Sequence, residues 1–183
     1  MNALIESIKR AFGDCKRAGS SSCGYKSSYE VTTLGFFCIY DNTHDEDSGD
    51  PVKIVPSVEN HQLRVKNDDQ KPICLIKTDK CLFTDEHKKC DCIILSNDQC
   101  FFVEISDSTN RHRKRNDAVE QLSTTIDILN ERGINLSNYQ KRAIICFKSG
   151  KTRPTQTSFN TKQALFNDKY KIRLEEGNFI VFE

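Results

Sequence analysis

A chain of 183 residues with a net charge of +1 and 37% hydrophobic residues has material for one domain with a sizeable core, and too little for two ordinary ones. No run of about 18 apolar residues occurs and the opening "MNALIESIKRAFG" mixes acid with base, so neither a membrane span nor a secretory signal is indicated and a cytoplasmic protein is expected. The near-zero balance excludes a uniformly basic surface, but charge is unevenly spread: "DNTHDEDSGD" at 41–50 is an acidic loop, and "RHRKR" at 111–115 is a basic run.

Residues 2–12 place Leu4, Ile5, Ile8 and Phe12 on one stripe closed by Gly13, which predicts a short amphipathic helix. "GSSSCG" at 19–24 interrupts the chain before one strand at about 30–40, "EVTTLGFFCIY". Weaker strand candidates follow the acidic loop at 51–55, 62–66 and 73–77. A hairpin is expected over 91–106, then a helix over 118–131 with Asp117 as N-cap and Glu120 closing a capping box. The stripe of that helix is Val119, Leu122, Ile126 and Leu129, and Gly133 ends it. "RAIICFK" at 142–148 is a further strand reached by a helical crossover. A short helix near 161–168 precedes two closing strands joined by a turn at Glu176-Gly177-Asn178. The whole reads as one α/β domain over 1–183, with a central mixed sheet flanked by helices.

The chain has nine cysteines, and several of them, including Cys38, Cys92, Cys100 and Cys146, fall inside strand candidates, where a reduced thiol acts as a small buried hydrophobe. Cys81, His87, Cys90 and Cys92 lie close in sequence. Their spacing matches no paired CxxC arrangement, and Cys90 and Cys92 flank Asp91 on the opposite strand face, so zinc is not expected.

The hairpin carries the chemistry. With Asn97 and Asp98 as its two turn residues, counting outward sets Asp91 across from Glu104 on one face. Like charges facing each other across strands, with Cβ atoms about 5 Å apart, are unfavourable without a compensating cation. Hard divalent ions such as Mg²⁺ or Mn²⁺ bind through one or two carboxylates, water and substrate phosphate. A solvated sheet rim, or one protonated acid, would also accommodate the pair.

An Asp opening one strand, a Glu within the adjacent antiparallel strand, an E-x-(basic) position, and then a helix and a further strand resemble the PD-(D/E)XK nuclease superfamily, over about residues 80–150. The resemblance implies a restriction-endonuclease-like fold in which Asp91 and Glu104 hold Mg²⁺ or Mn²⁺ and a lysine positions the attacking water. It also implies a site role for Gln121 in the following helix. Ser106 stands where the lysine belongs. Extending the hairpin register puts Lys89 across from Ser106, which makes it the specific replacement; Lys148 and Lys114 are less specific ones. Arg111, Arg113, Lys114 and Arg115 are expected to contact phosphate without reading sequence. The expected function is therefore metal-dependent cleavage of DNA or RNA phosphodiesters, by a subunit of a bacterial restriction or phage-defence system that depends on a partner protein for targeting. The alternative is an inactive member of the same fold that binds nucleic acid or bridges subunits.

Overall fold

Leu4, Ile5 and Ile8 recur at helical spacing, and they are the buried residues of helix α1 (Ala3–Phe12). Gly13 takes the positive φ of 79° that ends it, donating its N–H to the Lys9 carbonyl at 2.7 Å. The computed structural model describes residues 3–15, 27–41, 52–55, 63–83, 88–106, 111–147 and 157–183.

Six strands form the main sheet: β1 (Tyr29–Thr32), β5 (Ile73–Lys77), β6 (Cys92–Leu95), β7 (Gln99–Ser106), β8 (Gln140–Phe147) and β9 (Arg173–Glu176), adjacent in that order. The members β1 to β7 pair antiparallel, whereas β7–β8 and β8–β9 are parallel and are joined through helices α2 (Arg111–Glu131) and α3 (Thr157–Tyr170). The sheet is mixed. A second mixed sheet holds β10 (Phe179–Phe182), β4 (Leu63–Asn67), β2 (Phe36–Tyr40) and β3 (Lys53–Val55), again in spatial order.

Alternation along β6 and β7 sends side chains to two different cores. Ile93, Leu95 and Phe102 pack with Leu4 and Ile8 of α1, Leu122, Ile126 and Leu129 of α2, and Phe159 and Phe166 of α3. Ile94, Phe101, Val103 and Ile105 pack instead with Phe37, Ile39, Leu63, Val65, Ile180 and Phe182 of the second sheet. The strands are apolar on both faces. The cover differs from the expectation, since helices lie on one face only and a sheet closes the other.

That second sheet exists because two segments that look continuous are divided. The expected strand over 30–40 is two strands in different sheets, β1 and β2. Asn67 holds the crossing: its buried side chain donates to the Leu34 and Lys71 carbonyls at 3.2 and 2.9 Å and accepts the Lys71 N–H at 3.1 Å. The Asn67 main-chain N–H also bonds Gly35. The expected closing hairpin is divided likewise. After β9 has paired with β8, Gly177 donates to the Ile145 carbonyl, Asn178 accepts from Arg64, and β10 goes to β4.

Helix α2 begins at Arg111, well before Asp117, so the basic run is helix and not loop. Glu120 does not reach back to close a capping box: its carboxylate accepts from Lys88 Nζ at 2.7 Å. Ala118 joins the buried stripe and Val119 is only partly buried. Gly133, at φ 71°, ends the helix, with the Ile134 N–H bonding the Leu129 carbonyl at 3.0 Å. The acidic stretch beyond Asp41, together with His87 and Lys148, lies outside the described residues. Among the described residues, no helix is long and apolar enough to cross a membrane.

Candidate metal and phosphate site

The β6–β7 ladder has the register that a turn at Asn97–Asp98 requires, pairing Leu95 with Cys100 and Cys92 with Val103, and it goes no further. Just outside it, Asp91 Oδ2 accepts the Ile105 N–H at 2.6 Å, so a carboxylate stands in for the next main-chain acceptor. The Asp91 carbonyl is turned toward the segment after β5, where it accepts from the Thr78 and Asp79 N–H groups at 3.1 and 3.4 Å. Glu104, next to Val103 and Ile105, alternates onto the helix-covered face. Asp91 and Glu104 are each only 7% exposed. Among the described residues, the buried Glu104 Oε2 has no hydrogen-bond partner.

Burial pushes the Asp91 carboxyl well above the usual carboxylate range, and the charges of Asp41 and Asp79 add to this, against the Ile105 N–H and Lys80. Glu104 is raised by burial first, then by Asp91, Asp41 and Asp79, while Lys114 opposes the shift. Without a cation, both acids retain their protons well past the pH at which exposed carboxyls lose theirs. Asp41 just after β2, Asp79 after β5, Asp91 just before β6 and Glu104 in β7 therefore act on one another's charge.

Lys89 is buried and its Nζ lies 3.4 Å from Asp79 Oδ1. The route differs from the expected one: β6 starts at Cys92, so Lys89 is not paired with Ser106, whose strand partner is Phe147 of β8. Gln121 also differs in detail. Its Nε2 donates to the Lys89 carbonyl at 3.3 Å and so braces the chain that carries the lysine.

The basic run divides by function. Arg115 is buried, its Nε bonded to Glu176 Oε1 and its guanidinium 4.9 Å from the Phe159 ring centroid. It ties α2 to β9 and α3, which corrects the expectation of a phosphate-contacting side chain. Arg113 and Lys114 are exposed, and the Arg111 side chain lies outside the described residues.

Sequence reasoning passed over Asp79 and placed Asp41 in the acidic loop without linking it to the hairpin. The available signal was that Asp41 closes strand β2 much as Asp91 opens β6. Among the described residues, Cys81, Cys90 and Cys92 form no metal-holding group. Cys90 packs on the helix face and Cys92 on the sheet face, and Cys81 Sγ lies 3.4 Å from Cys15 Sγ. Burial lifts the Cys90 thiol to about 12 and that of Cys74 to about 11, as expected of cysteines that act as core hydrophobes.

Among the described residues, no three His, Cys, Asp and Glu side chains come together in a metal-holding arrangement. Mg²⁺ and Mn²⁺ do not require three, because water and substrate complete their shells. The unpaired Oε2 of Glu104 beside the Asp91 charge is a donor set of the hard, anionic kind such ions take. Comparison of the chain with protein-family models, curated proteins and solved structures returned no match.

Proposed function

We propose that this chain is a nuclease-like protein of the PD-(D/E)XK kind, which cleaves DNA or RNA phosphodiesters with Mg²⁺ or Mn²⁺ as a cytoplasmic subunit of a restriction or phage-defence assembly. The observation that carries the reading is the buried Oε2 of Glu104, which has no hydrogen-bond partner among the described residues and feels the charge of Asp91. An orphaned buried acceptor costs about 1–3 kcal/mol, more when it is charged, and a bound cation removes that cost. The order of elements adds support: Asp91 just before β6, Glu104 in the antiparallel β7, then helix α2 and strand β8 parallel to β7 follow the pattern read from the sequence.

Asp91 and Glu104 would hold the ion, which supplies Lewis-acid activation of water and charge neutralisation at phosphate when bound. Lys89, held by Asp79, stands in for the cation that Ser106 cannot provide and orients the attacking water. Lys114 contributes positive charge toward Glu104 from the first turns of α2, where the helix dipole also favours a phosphate. The opposite reading, a binding or bridging subunit without catalysis, is favoured by Ser106 alone.

A cleavage assay on single- and double-stranded DNA and RNA with Mn²⁺ separates the two. Activity in the wild type, lost by at least about 100-fold in Glu104→Gln and Lys89→Ala while both stay folded, supports the enzyme. Inactivity in the wild type, with activity gained in Ser106→Lys, supports a degenerate site.

A further inference from the structure

The second sheet buries one face against the main sheet and turns the other outward. Phe37, Ile39, Leu63, Val65, Ile180 and Phe182 point inward, so Phe36, Cys38, Tyr40, Lys53, Arg64, Lys66 and Phe179 alternate to the other face, which is closed over the fully buried Cys38, open at Phe36 and Phe179, and half-buried at Tyr40, Lys53, Arg64 and Lys66. Phe36 and Phe179 are 44% and 45% exposed, unusual for rings on a sheet. The register interleaves them with cations. Phe179 pairs with Arg64, whose guanidinium lies 5.6 Å from its ring centroid, Phe36 pairs with Lys66, and Tyr40 pairs with Lys53 at 6.0 Å. Strands β2, β3, β4 and β10 contain no Asp or Glu, so every charged side chain on them is positive, and Lys66 Nζ lies 2.7 Å from Asp68 Oδ2 just beyond β4, an exposed pair that a phosphate would replace.

We infer that this outer face binds single-stranded nucleic acid, with bases stacked on Phe36 and Phe179 and phosphates paired to Arg64 and Lys66. Rings alternating with cations on an exposed sheet are the combination that takes unpaired bases without reading sequence. Phe36 and Phe179 lie diagonally across β4, about 12 Å apart from strand spacing and rise, which leaves the two cations between the stacked bases. The occupant is flexible and anionic, and duplex bases are already stacked on each other. The contacts inferred are to bases and phosphates, so DNA and RNA should bind alike. Strand β2 also leads from Phe36 to Tyr40 and then to Asp41, whose charge reaches Asp91 and Glu104. The inference rests on the nucleic-acid reading of that carboxylate site and supplies its substrate class.

Fluorescence anisotropy with labelled oligo(dT), oligo(U) and a duplex of equal length, in buffer containing chelator, tests the face independently of cleavage. The wild type should bind both single strands and prefer them to the duplex. Phe36→Ala with Phe179→Ala should weaken binding at least about fivefold, whereas Phe36→Tyr with Phe179→Tyr should hold it within about twofold. Arg64→Gln with Lys66→Gln should reduce the log–log salt slope by about 1.4. Absence of binding by the wild type, equal affinity for duplex, or unchanged affinity in the alanine pair would overturn the inference. If the alanine pair instead breaks up a dimer in gel filtration and binds oligonucleotide as the wild type does, the face is a self-interface. A wild type that binds oligonucleotide but cleaves none with Mn²⁺ would count against the carboxylate reading alone.

Discussion

At the scale of residues, Asp91 and Glu104 are placed where a carboxyl is costly to ionise, and that cost is readable as stability. Both side chains bind protons in the folded, metal-free state at pH values where the unfolded chain, with ordinary values of about 3.9 and 4.3, has released them. A raised folded pKa contributes stability that is complete below the unfolded value and lost as pH rises through the folded one. Urea unfolding in chelator should therefore show the wild type weakening from pH 5 to pH 8, with each retained proton tilting stability by at most about 1.4 kcal/mol per pH unit. Asp91→Asn with Glu104→Gln should flatten that limb, and Mn²⁺ should restore the wild type at pH 8. An identical pH slope in the double variant would mean that neither acid is held protonated. The register that brings these two acids near each other was legible in the sequence, because a two-residue turn sets it as far as the pairing of Cys92 with Val103, whereas the placement of the Asp91 carboxylate on the Ile105 N–H just beyond the ladder was not. Asp79 was not, since its approach to Lys89 depends on the irregular turn after β5, where Lys80 takes a φ of 58°.

At the scale of elements, α2 shows where local signals mislead. Asp117 and Glu120 spell a capping box, yet the helix starts at Arg111, because Arg115 packed on Phe159 and bonded to Glu176 holds the earlier turns. Tertiary contacts outweighed a local preference of about 1 kcal/mol. The two neighbouring cations should then behave differently. Arg115→Ala should destabilise the fold by about 2 kcal/mol, below the 3–5 kcal/mol (about) for a fully buried pair because Glu176 retains some exposure. Lys114→Ala should change stability by less than about 0.5 kcal/mol while lowering affinity for nucleic acid. Thermal melts and binding measured on both variants check this, and equal destabilisation would contradict the division. The strands were mostly legible from their apolar runs, including the three short ones before the hairpin. The helix around 161–168 was found but is longer, spanning Thr157–Tyr170.

At the scale of the whole molecule, the α/β class was readable, and the second sheet was not. Its strands come from segments far apart in sequence, and the divisions that create it, at Asn67 and at Gly177, are made by long-range hydrogen bonds that leave no periodic trace. The result is a three-layer body of helices, main sheet and second sheet, with the acids on the helix side of the main sheet and the aromatic, basic surface at the far side of the second. Asp41 at the end of β2 brings the second sheet into the electrostatics of the first. Everything proposed for catalysis depends on Asp91 and Glu104 taking up a divalent ion, and calorimetric titration with Mn²⁺ at neutral pH measures that directly. The prediction is one ion bound per chain with release of protons from the two acids, and an affinity at least about tenfold weaker in Glu104→Gln. Equal affinity in that variant, or no binding by the wild type at millimolar Mn²⁺, would contradict it.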